Sequence, residues 1–143
     1  MLKGIDPLLS PDLLHVLAAM GHGDELALVD RNYPAVATAR RLVRVDGADL
    51  PTTARAILTL LPIDDFIDTP ITVMRPVHSD DRAMPAVQRE VVDAVEQAEQ
   101  RSVAVQHVER AAFYARAREA FAVVATSESR PYGCVILTKG VIR

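Results

Sequence analysis

The sequence predicts an α/β protein in which helices pack against a largely parallel central sheet. Three observations carry this prediction. Short apolar runs, often rich in β-branched residues, recur along the chain and are typical of strands buried on both faces. Segments with helical periodicity separate most of these runs, as crossover connections between parallel strands require. The 143 residues contain no Gly/Ser-rich linker, so we expect a single domain over 1–143.

The apolar runs predict six strands. They cover Glu25 to Val29, Leu42 to Val45, Ile71 to Met74, Val103 to Val108, Ala120 to Thr126 and Cys134 to Thr138. Asp46-Gly47 closes the second strand, because this pair is a strong turn signal. Ligands of such sheets bind beyond the carboxyl ends of the strands. Asp30, directly after the first strand, and the turn at 130–133 are therefore candidates by position.

Four helices are predicted between the strands. Ser10-Pro11-Asp12 begins the first, with Ser as N-cap and Pro at the first helical position, and Gly21 follows its apolar face. The others run from Leu50 to about Leu61, from Ala86 to Arg101 and from Glu109 to Glu119. Polar and Pro-containing stretches at 32–34 and 76–83 predict loops.

Composition excludes several classes of protein. Half of the residues are hydrophobic, which argues against intrinsic disorder, and the net charge of -3 argues against a general nucleic-acid binder. No apolar run approaches the roughly 18 residues of a membrane helix, and the N-terminus lacks the apolar core of a secretory signal. The single cysteine, Cys134, fits a reducing compartment, so we expect a cytoplasmic protein. A mean hydropathy of +0.13 is high for a small monomer and indicates either a large core or apolar surface buried between subunits.

His22 is the strongest candidate for a residue that takes part in chemistry. It stands between two glycines at a helix-to-strand junction, and imidazole exchanges protons near neutral pH. Asp24 and Asp30 are close in sequence and are candidates to orient its ring. The alternative is an ordinary loop histidine between a helix stop and a turn glycine. The segment is not a phosphate-binding loop, because it lacks the glycine spacing and the Lys-Ser/Thr pair.

Three further side chains are candidates to bind a polar ligand. Asp30 offers a carboxylate to a hydroxyl, Arg110 offers five N–H donors, and Tyr132 offers a hydroxyl in a turn. For each, a turn, solvent-exposed or packing role is the alternative. His15, His78 and His107 are interpreted as surface or structural residues. The four histidines of the chain do not have the spacing of metal ligands, so we expect no metal site. Arg40, Arg41 and Arg44 are interpreted as a solvated or interface cluster rather than a phosphate site.

The chain resembles the family of D-ribose pyranases and L-fucose mutarotases, nearly from end to end. The resemblance rests on the order and spacing of several short segments. They are Met1-Leu2-Lys3, Ser10-Pro11-x-Leu13-Leu14, Met20-Gly21-His22-Gly23-Asp24-Glu25, Asp30, Pro34-Ala35, Arg44-x-Asp46-Gly47, Phe113-Tyr114-x-Arg116-Ala117, Ala120-Phe121-Ala122, Tyr132-Gly133 and Lys139-Gly140-Val141. Arg110, where the ribose branch has His, and the segments at 20–25 and 113–117 are similar to the fucose branch.

The resemblance implies a three-layer α/β/α sandwich, a ring-shaped homo-oligomer, most often a decamer, and anomer interconversion of a monosaccharide without a cofactor. It implies that His22 is the proton donor and that Asp30, Arg110, Tyr132, Gly133 and Cys134 lie at the sugar. Tyr132 or an ordered water is then the complementary proton-transfer group. Cys134 departs from the Asn of many members, which changes the site only if the sugar meets that side chain.

Two other functions stay open at this point. One is D-ribose pyranase activity, against which Arg110 argues. The other is a sugar-binding accessory protein of a transport or catabolic system, in which the same polar residues bind without catalysis. The chain has no Trp, so any sugar site must rely mainly on hydrogen bonds.

Overall fold

The computed structural model describes residues 1–77 and 83–143, which contain a six-stranded mixed sheet. The strands are β1 (Glu25–Val29), β2 (Leu42–Val45), β3 (Ile71–Met74), β4 (Val105–Val108), β5 (Ala122–Thr126) and β6 (Cys134–Thr138). They lie side by side in the order β2-β5-β1-β6-β3-β4. The predicted loop residues His78, Asp80 and Asp81 lie outside the described ranges.

The sheet is largely parallel, as predicted, with one reversed strand. β5 is parallel to β1 and to β2, and β3 is parallel to β4. β6 separates these two groups and is antiparallel to both of its neighbours, β1 and β3. The sequence pattern does not predict the reversal, because an apolar run has the same composition in either direction.

Five helices flank the sheet in the described ranges. They are α1 (Pro11–Ala19), α2 (Ala35–Thr38), α3 (Leu50–Leu58), α4 (Ala86–Glu99) and α5 (Arg110–Glu119). Ser10 caps α1 and Asp49 caps α3, each accepting a hydrogen bond from a backbone N–H of the first turn. The α2 helix was not predicted, because its four residues follow Pro34 in a stretch that favours a loop. Gln100 ends α4 in the left-handed conformation, with φ 56°.

Two apolar cores, one on each face of the sheet, produce three layers. Alternate residues of β1 contribute to each: Leu26 and Leu28 to one core, Ala27 and Val29 to the other. α1, α3 and α4 cover the first core, and α2 and α5 cover the second, where Phe113 is fully buried. The predicted α/β/α sandwich is confirmed. No helix of the described ranges is long and apolar enough to cross a bilayer.

Candidate active site

The candidate residues lie at two opposite edges of the sheet. Asp30 follows the C-terminal end of β1, and the turn before the antiparallel β6 reaches the same edge, where the Gly133 N–H donates to Asp30 Oδ2 at 3.1 Å. Arg110 begins α5 just beyond β4. His22 precedes β1 and lies at the other edge. Because the five residues of β1 alone span roughly 13 Å, His22 does not meet Asp30 within one chain.

At the His22 edge, an exposed imidazole is paired with a buried carboxylate. His22 Nε2 lies 3.0 Å from Asp64 Oδ1, and the side chains are 43% and 2% exposed. Because the carboxylate accepts this hydrogen bond, Nε2 carries the proton and Nδ1 is the nitrogen that exchanges a proton with a ligand. The Phe66 ring lies against the imidazole, with centroids 4.9 Å apart. The two contacts hold the imidazole in one orientation, as general acid–base catalysis by a histidine requires.

The expectation that Asp24 or Asp30 orients the His22 ring is wrong. Asp24 Oδ2 instead accepts a hydrogen bond of 2.7 Å from the Gly21 N–H, which closes the tight turn around His22. Gly23 completes that turn with φ 85°, a conformation that favours glycine. Asp64 was missed because it lies in an irregular segment between α3 and β3, with no motif or periodicity to single it out.

Three contacts hold Asp64 in place beneath His22. The Asp64 N–H donates to the Thr138 carbonyl at 3.0 Å, at the end of β6. Arg101 donates to the Asp64 carbonyl at 3.0 Å. Gly140 packs so closely that an added Cβ would lie 2.8 Å from Asp64 Cα. The chain after β6 therefore needs a glycine here to approach the Asp64 backbone.

Lys139 anchors the segment that carries His22. Its Nζ donates to the carbonyls of Leu17 and Met20, at 2.9 and 2.5 Å. These hydrogen bonds satisfy carbonyls at the C-terminal end of α1, and the positive charge of Lys139 interacts favourably with the negative end of the helix dipole. Its carbonyl accepts a hydrogen bond from the Gly23 N–H at 2.9 Å. The end of β6 thus fixes both His22 and its partner Asp64.

At the other edge, Asp30 is buried, and its carboxylate accepts hydrogen bonds from several backbone groups. Oδ1 accepts from the Asn32 N–H at 2.9 Å, and Oδ2 from the Gly133 N–H at 3.1 Å. Burial raises the pKa of Asp30, and these backbone hydrogen bonds together with the Cys134 thiol lower it by less, so the net direction is upward. A cavity of about 470 Å³ opens beside Asp30. Its size is in the range of small-molecule sites.

Tyr132 presents a half-buried hydroxyl from a strained turn. Its φ is 60°, uncommon for a residue with a side chain. The Tyr132 hydroxyl oxygen accepts a hydrogen bond of 3.1 Å from the Val77 N–H, which leaves the hydroxyl proton to be donated to a ligand. Gly133 is buried, and a Cβ there would lie 3.3 Å from the Asp30 Cβ, so the turn packs directly on Asp30.

Cys134 is buried in the second apolar core, with 3% exposure. Its Sγ lies 3.7 Å from Asp30 Oδ2, and burial, reinforced by the Asp30 charge, raises the pKa of the thiol. The side chain therefore contacts Asp30 rather than open solvent. This contact favours a sugar that meets the backbone, not the side chain, of residue 134.

Arg110 is exposed at the start of α5, with its guanidinium 6.0 Å from the ring centre of Tyr114. The Tyr114 ring in turn packs edge-on against Tyr33, with centroids 4.9 Å apart, three residues beyond Asp30. This chain of contacts places Arg110 on the Asp30 side of the molecule. Sequence reasoning noted Tyr114 only as part of the family resemblance.

Among the described residues, the weaker candidates make surface or packing contacts, and Arg40 and Arg41 line a cavity of about 520 Å³ beside Asp24. His15 is exposed on α1, and His107 lies half-buried in β4. Arg40 and Arg44 form exposed ion pairs with Glu119 and Asp46. Within the described ranges, no group of three or more His, Cys, Asp or Glu side chains has the geometry to hold a metal ion.

Comparison with known proteins identifies the family. A model of the RbsD / FucU transport protein family matches residues 3–142. The chain belongs to the RbsD/FucU family. This membership confirms the family resemblance predicted from the motif order.

Relatives within the RbsD/FucU family are similar over almost their whole length. The L-fucose mutarotase of Glaesserella parasuis is 44% identical over 141 residues, covering 99% of this chain and 96% of the relative. The fucose mutarotase of Homo sapiens is 44% identical over 147 residues, covering 99% and 94%.

Two solved structures share the fold. The fucose mutarotase of Streptococcus pneumoniae in complex with L-fucose has a TM-score of 0.91 at 39% identity, and the match covers 99% of this chain and 100% of that one. RbsD of Bacillus subtilis complexed with D-ribose has a TM-score of 0.72 at 20% identity over the full length of both chains. The second similarity concerns the fold alone.

Proposed function

We propose that this protein is a sugar mutarotase that interconverts the α and β anomers of L-fucose. The observation that carries the proposal is the pairing of an exposed His22 with the buried Asp64 carboxylate, at 3.0 Å. The similarity to proteins named L-fucose mutarotase, at 44% identity, supports the substrate.

Mutarotation needs two proton transfers. The bond between the anomeric carbon and the ring oxygen breaks as the ring oxygen gains a proton and the anomeric hydroxyl loses one. The open-chain aldehyde then rotates, and the same transfers run in reverse on the other face. Positioned acid–base groups supply about 10² to 10⁴-fold each, which suits a reaction that proceeds slowly unaided.

We assign the proton donor to His22. Asp64 accepts a hydrogen bond from Nε2 and so orients the ring, which leaves the outward nitrogen, Nδ1, to exchange the proton. The complementary group, which takes the proton of the anomeric hydroxyl, is Tyr132 or a water hydrogen-bonded to it. The Val77 N–H holds the Tyr132 hydroxyl in place for this role.

Asp30 and Arg110 hold the sugar hydroxyls. The Asp30 carboxylate is anchored by the backbone of Asn32 and Gly133, so a hydroxyl that binds it is held by the rigid edge of the sheet. Gly133 and Cys134 form the wall beside that carboxylate. Arg110 adds charged donors from the start of α5.

The separation of His22 from this binding edge implies that a second copy completes the site. His22 of one subunit would face Asp30 and Tyr132 of its neighbour, and repeating that contact around an axis closes a ring. The exposed apolar side chains that surround the His22 edge support such a contact; they are Leu2, Leu60, Phe66, Ile67, Val141 and Ile142. We propose the decamer expected from the family resemblance, working in the reducing cytoplasm that a free cysteine favours.

Saturation-transfer NMR of equilibrated sugars tests the function directly. We expect the protein to speed exchange between the anomers of L-fucose well above the buffer rate, and to act less on D-ribose, because Arg110 stands where the ribose branch of the family has His. Faster exchange of ribose than of fucose would favour the pyranase alternative. Fucose binding with exchange at the buffer rate would favour an accessory binding protein.

Gly140→Ala is expected to lower catalysed fucose exchange by roughly tenfold or more, because the new Cβ must push the Asp64 backbone away from His22. The measurement is the exchange rate at saturating sugar, with thermal unfolding recorded in parallel. A variant that keeps full exchange would show that the close approach at Gly140 does not set the position of Asp64.

A further inference from the structure

Gln88 is a fully buried amide that no catalytic assignment uses. It lies in the first turn of α4 and is 0% exposed. Its Nε2 donates two hydrogen bonds, to the Met74 carbonyl at 2.7 Å and to the Tyr132 carbonyl at 2.9 Å. Met74 is the last residue of β3, and Tyr132 belongs to the turn that enters β6. Gln88 therefore bridges the end of β3 and the turn before β6, next to the point where the pairing of these two strands ends, at Val73 and Val135.

The same peptide group is held from both sides. The Tyr132 carbonyl and the Gly133 N–H belong to one peptide bond. Gln88 donates to its oxygen at 2.9 Å, while Asp30 Oδ2 accepts from its nitrogen at 3.1 Å. Rotation of this peptide plane would break both bonds and would turn the N–H away from the Asp30 carboxylate.

Tyr132 needs such a restraint because its backbone is strained. With φ at 60°, a residue with a side chain occupies a sparsely populated conformation that persists only when its surroundings hold it. Pro131 precedes it, as in a type II turn, where glycine is usual at this third position. Release of the strain would move the Tyr132 hydroxyl away from Val77.

The amide of Gln88 is not explained by core packing. Its Oε1 is buried and has no hydrogen-bond partner among the described residues. An unpaired buried acceptor lowers stability. An apolar residue of similar size would avoid that cost, so the two bonds made by Nε2 are the reason for an amide here.

We propose that Gln88 is a positioning residue that holds the Tyr132-Gly133 peptide in its strained conformation, and thereby sets the Tyr132 hydroxyl for catalysis. The proposal rests on the proposed function. Gln88 acts through the turn, from the opposite side of the peptide to Asp30.

Gln88→Met keeps the volume of the side chain and removes both donors. Its matched control is Gln97→Met, an exposed residue of the same helix. We expect Gln88→Met to lower kcat for fucose anomer exchange by roughly 10- to 100-fold, with little change in KM, because Tyr132 is displaced while Asp30 still holds the sugar. The control should match the parent protein. Unchanged kcat in a folded Gln88→Met would overturn the proposal.

The lone cysteine gives a second readout that needs no catalysis. Cys134 follows the clamped peptide and is 3% exposed, so a loosened turn should uncover its thiol. We expect a disulfide reagent such as dithiobisnitrobenzoate to label Gln88→Met roughly tenfold faster than the control, well below the unfolding temperature. Equal labelling rates would contradict the clamp, whether or not the protein is a mutarotase.

Gln88→Asn covers the case in which the Met variant does not fold. The shorter amide keeps the polarity and cannot reach both carbonyls, so the same fall in kcat and the same rise in labelling are expected. Parent-like behaviour of Gln88→Asn in both assays would overturn the proposal. Faster labelling without any exchange activity in the parent protein would instead support the clamp and reject the proposed function.

Discussion

His22→Ala should reduce catalysed fucose anomer exchange by about 10² to 10⁴-fold, because the variant lacks the group to which we assign protonation of the ring oxygen. The side chain is 43% exposed, and without it the buried Asp64 Oδ1 still accepts a hydrogen bond of 3.1 Å from the Phe66 N–H, so the fold should persist with some loss of stability. Saturation-transfer NMR measures the loss. His15→Ala is the matched control, since His15 is an exposed histidine on α1. Full exchange by His22→Ala would remove His22 from the mechanism.

Asp64→Asn should reproduce part of this loss. The amide keeps the shape of the carboxylate but replaces the charged acceptor that orients the His22 ring, 3.0 Å away. A fall in kcat with little change in KM would separate this role from sugar binding.

Mixing two inactive variants tests whether the site is shared between subunits. His22→Ala keeps a complete Asp30 edge, and Asp30→Asn keeps a complete His22 edge. When the two are unfolded and reassembled together in equal amounts, about a quarter of the contacts between subunits should pair two intact edges. We therefore expect about a quarter of the parental exchange rate. No recovery in properly assembled mixtures would contradict a shared site.

Glu128→Leu should cause the largest loss of stability, about 3–5 kcal/mol. Glu128 is 2% exposed, and its carboxylate accepts hydrogen bonds from the Leu50 and Arg130 backbone N–H groups at 3.2 and 2.9 Å. It also pairs with the Arg130 guanidinium at 3.0 Å. Leucine would leave these donors unpaired. The apparent unfolding midpoint, measured at fixed protein concentration, should fall steeply.

The exposed pair of Arg40 and Glu119 supplies the control. These side chains are 56% and 77% exposed, so Glu119→Leu should cost no more than about 1 kcal/mol. If both variants lost a similar free energy of unfolding, the burial of Glu128 would not make its interactions stronger than those of an exposed ion pair.

The same carboxylate should make the protein sensitive to acid. Burial acts to raise the pKa of Glu128, but hydrogen bonds from Arg130 and from the Leu50 backbone outweigh it and lower the pKa to about 2. A lowered pKa in the folded state stabilises the fold above the unfolded-state pKa of 4.5. About 3 kcal/mol is therefore lost as the pH falls from about 5 to 2. The free energy of unfolding of Glu128→Gln should fall less than that of the parent over that pH range. Equal falls would show that other groups cause the acid sensitivity.

The strands were predictable because burial on both faces selects continuous apolar runs. Glu25–Val29 and Cys134–Thr138 begin and end where the pattern placed them. Val105–Val108 and Ala122–Thr126 start two residues later than predicted, because Val103 belongs to the connection after α4 and Ala120 is the C-cap of α5. Strand order and the direction of β6 depend on contacts far apart in sequence, which a local pattern does not contain.

The proposed site residues stand out in the sequence only to the extent that short motifs mark them. His22 stands out between two glycines, and Asp30 follows a strand. Asp64 and Gln88 have no such mark, since one lies in an irregular segment and the other looks like any polar residue of an amphipathic helix. Their roles arise only when distant segments meet: Asp64 beneath His22, and Gln88 at the Tyr132 carbonyl.

The central place of β6 has a consequence for how the protein folds. β6 is the last strand along the chain, yet it lies between β1 and β3. Until β6 inserts, the earlier strands can form only two separate sheets, β2-β5-β1 and β3-β4. In these sheets β1 and β3 each lack the neighbour that β6 provides, and an unpaired apolar strand favours aggregation. Insertion is a late, long-range step of the kind that slows folding. It also brings Cys134 to one end of the sheet and Lys139 to the other, so neither part of the proposed sugar site is complete in a folding intermediate that lacks this strand.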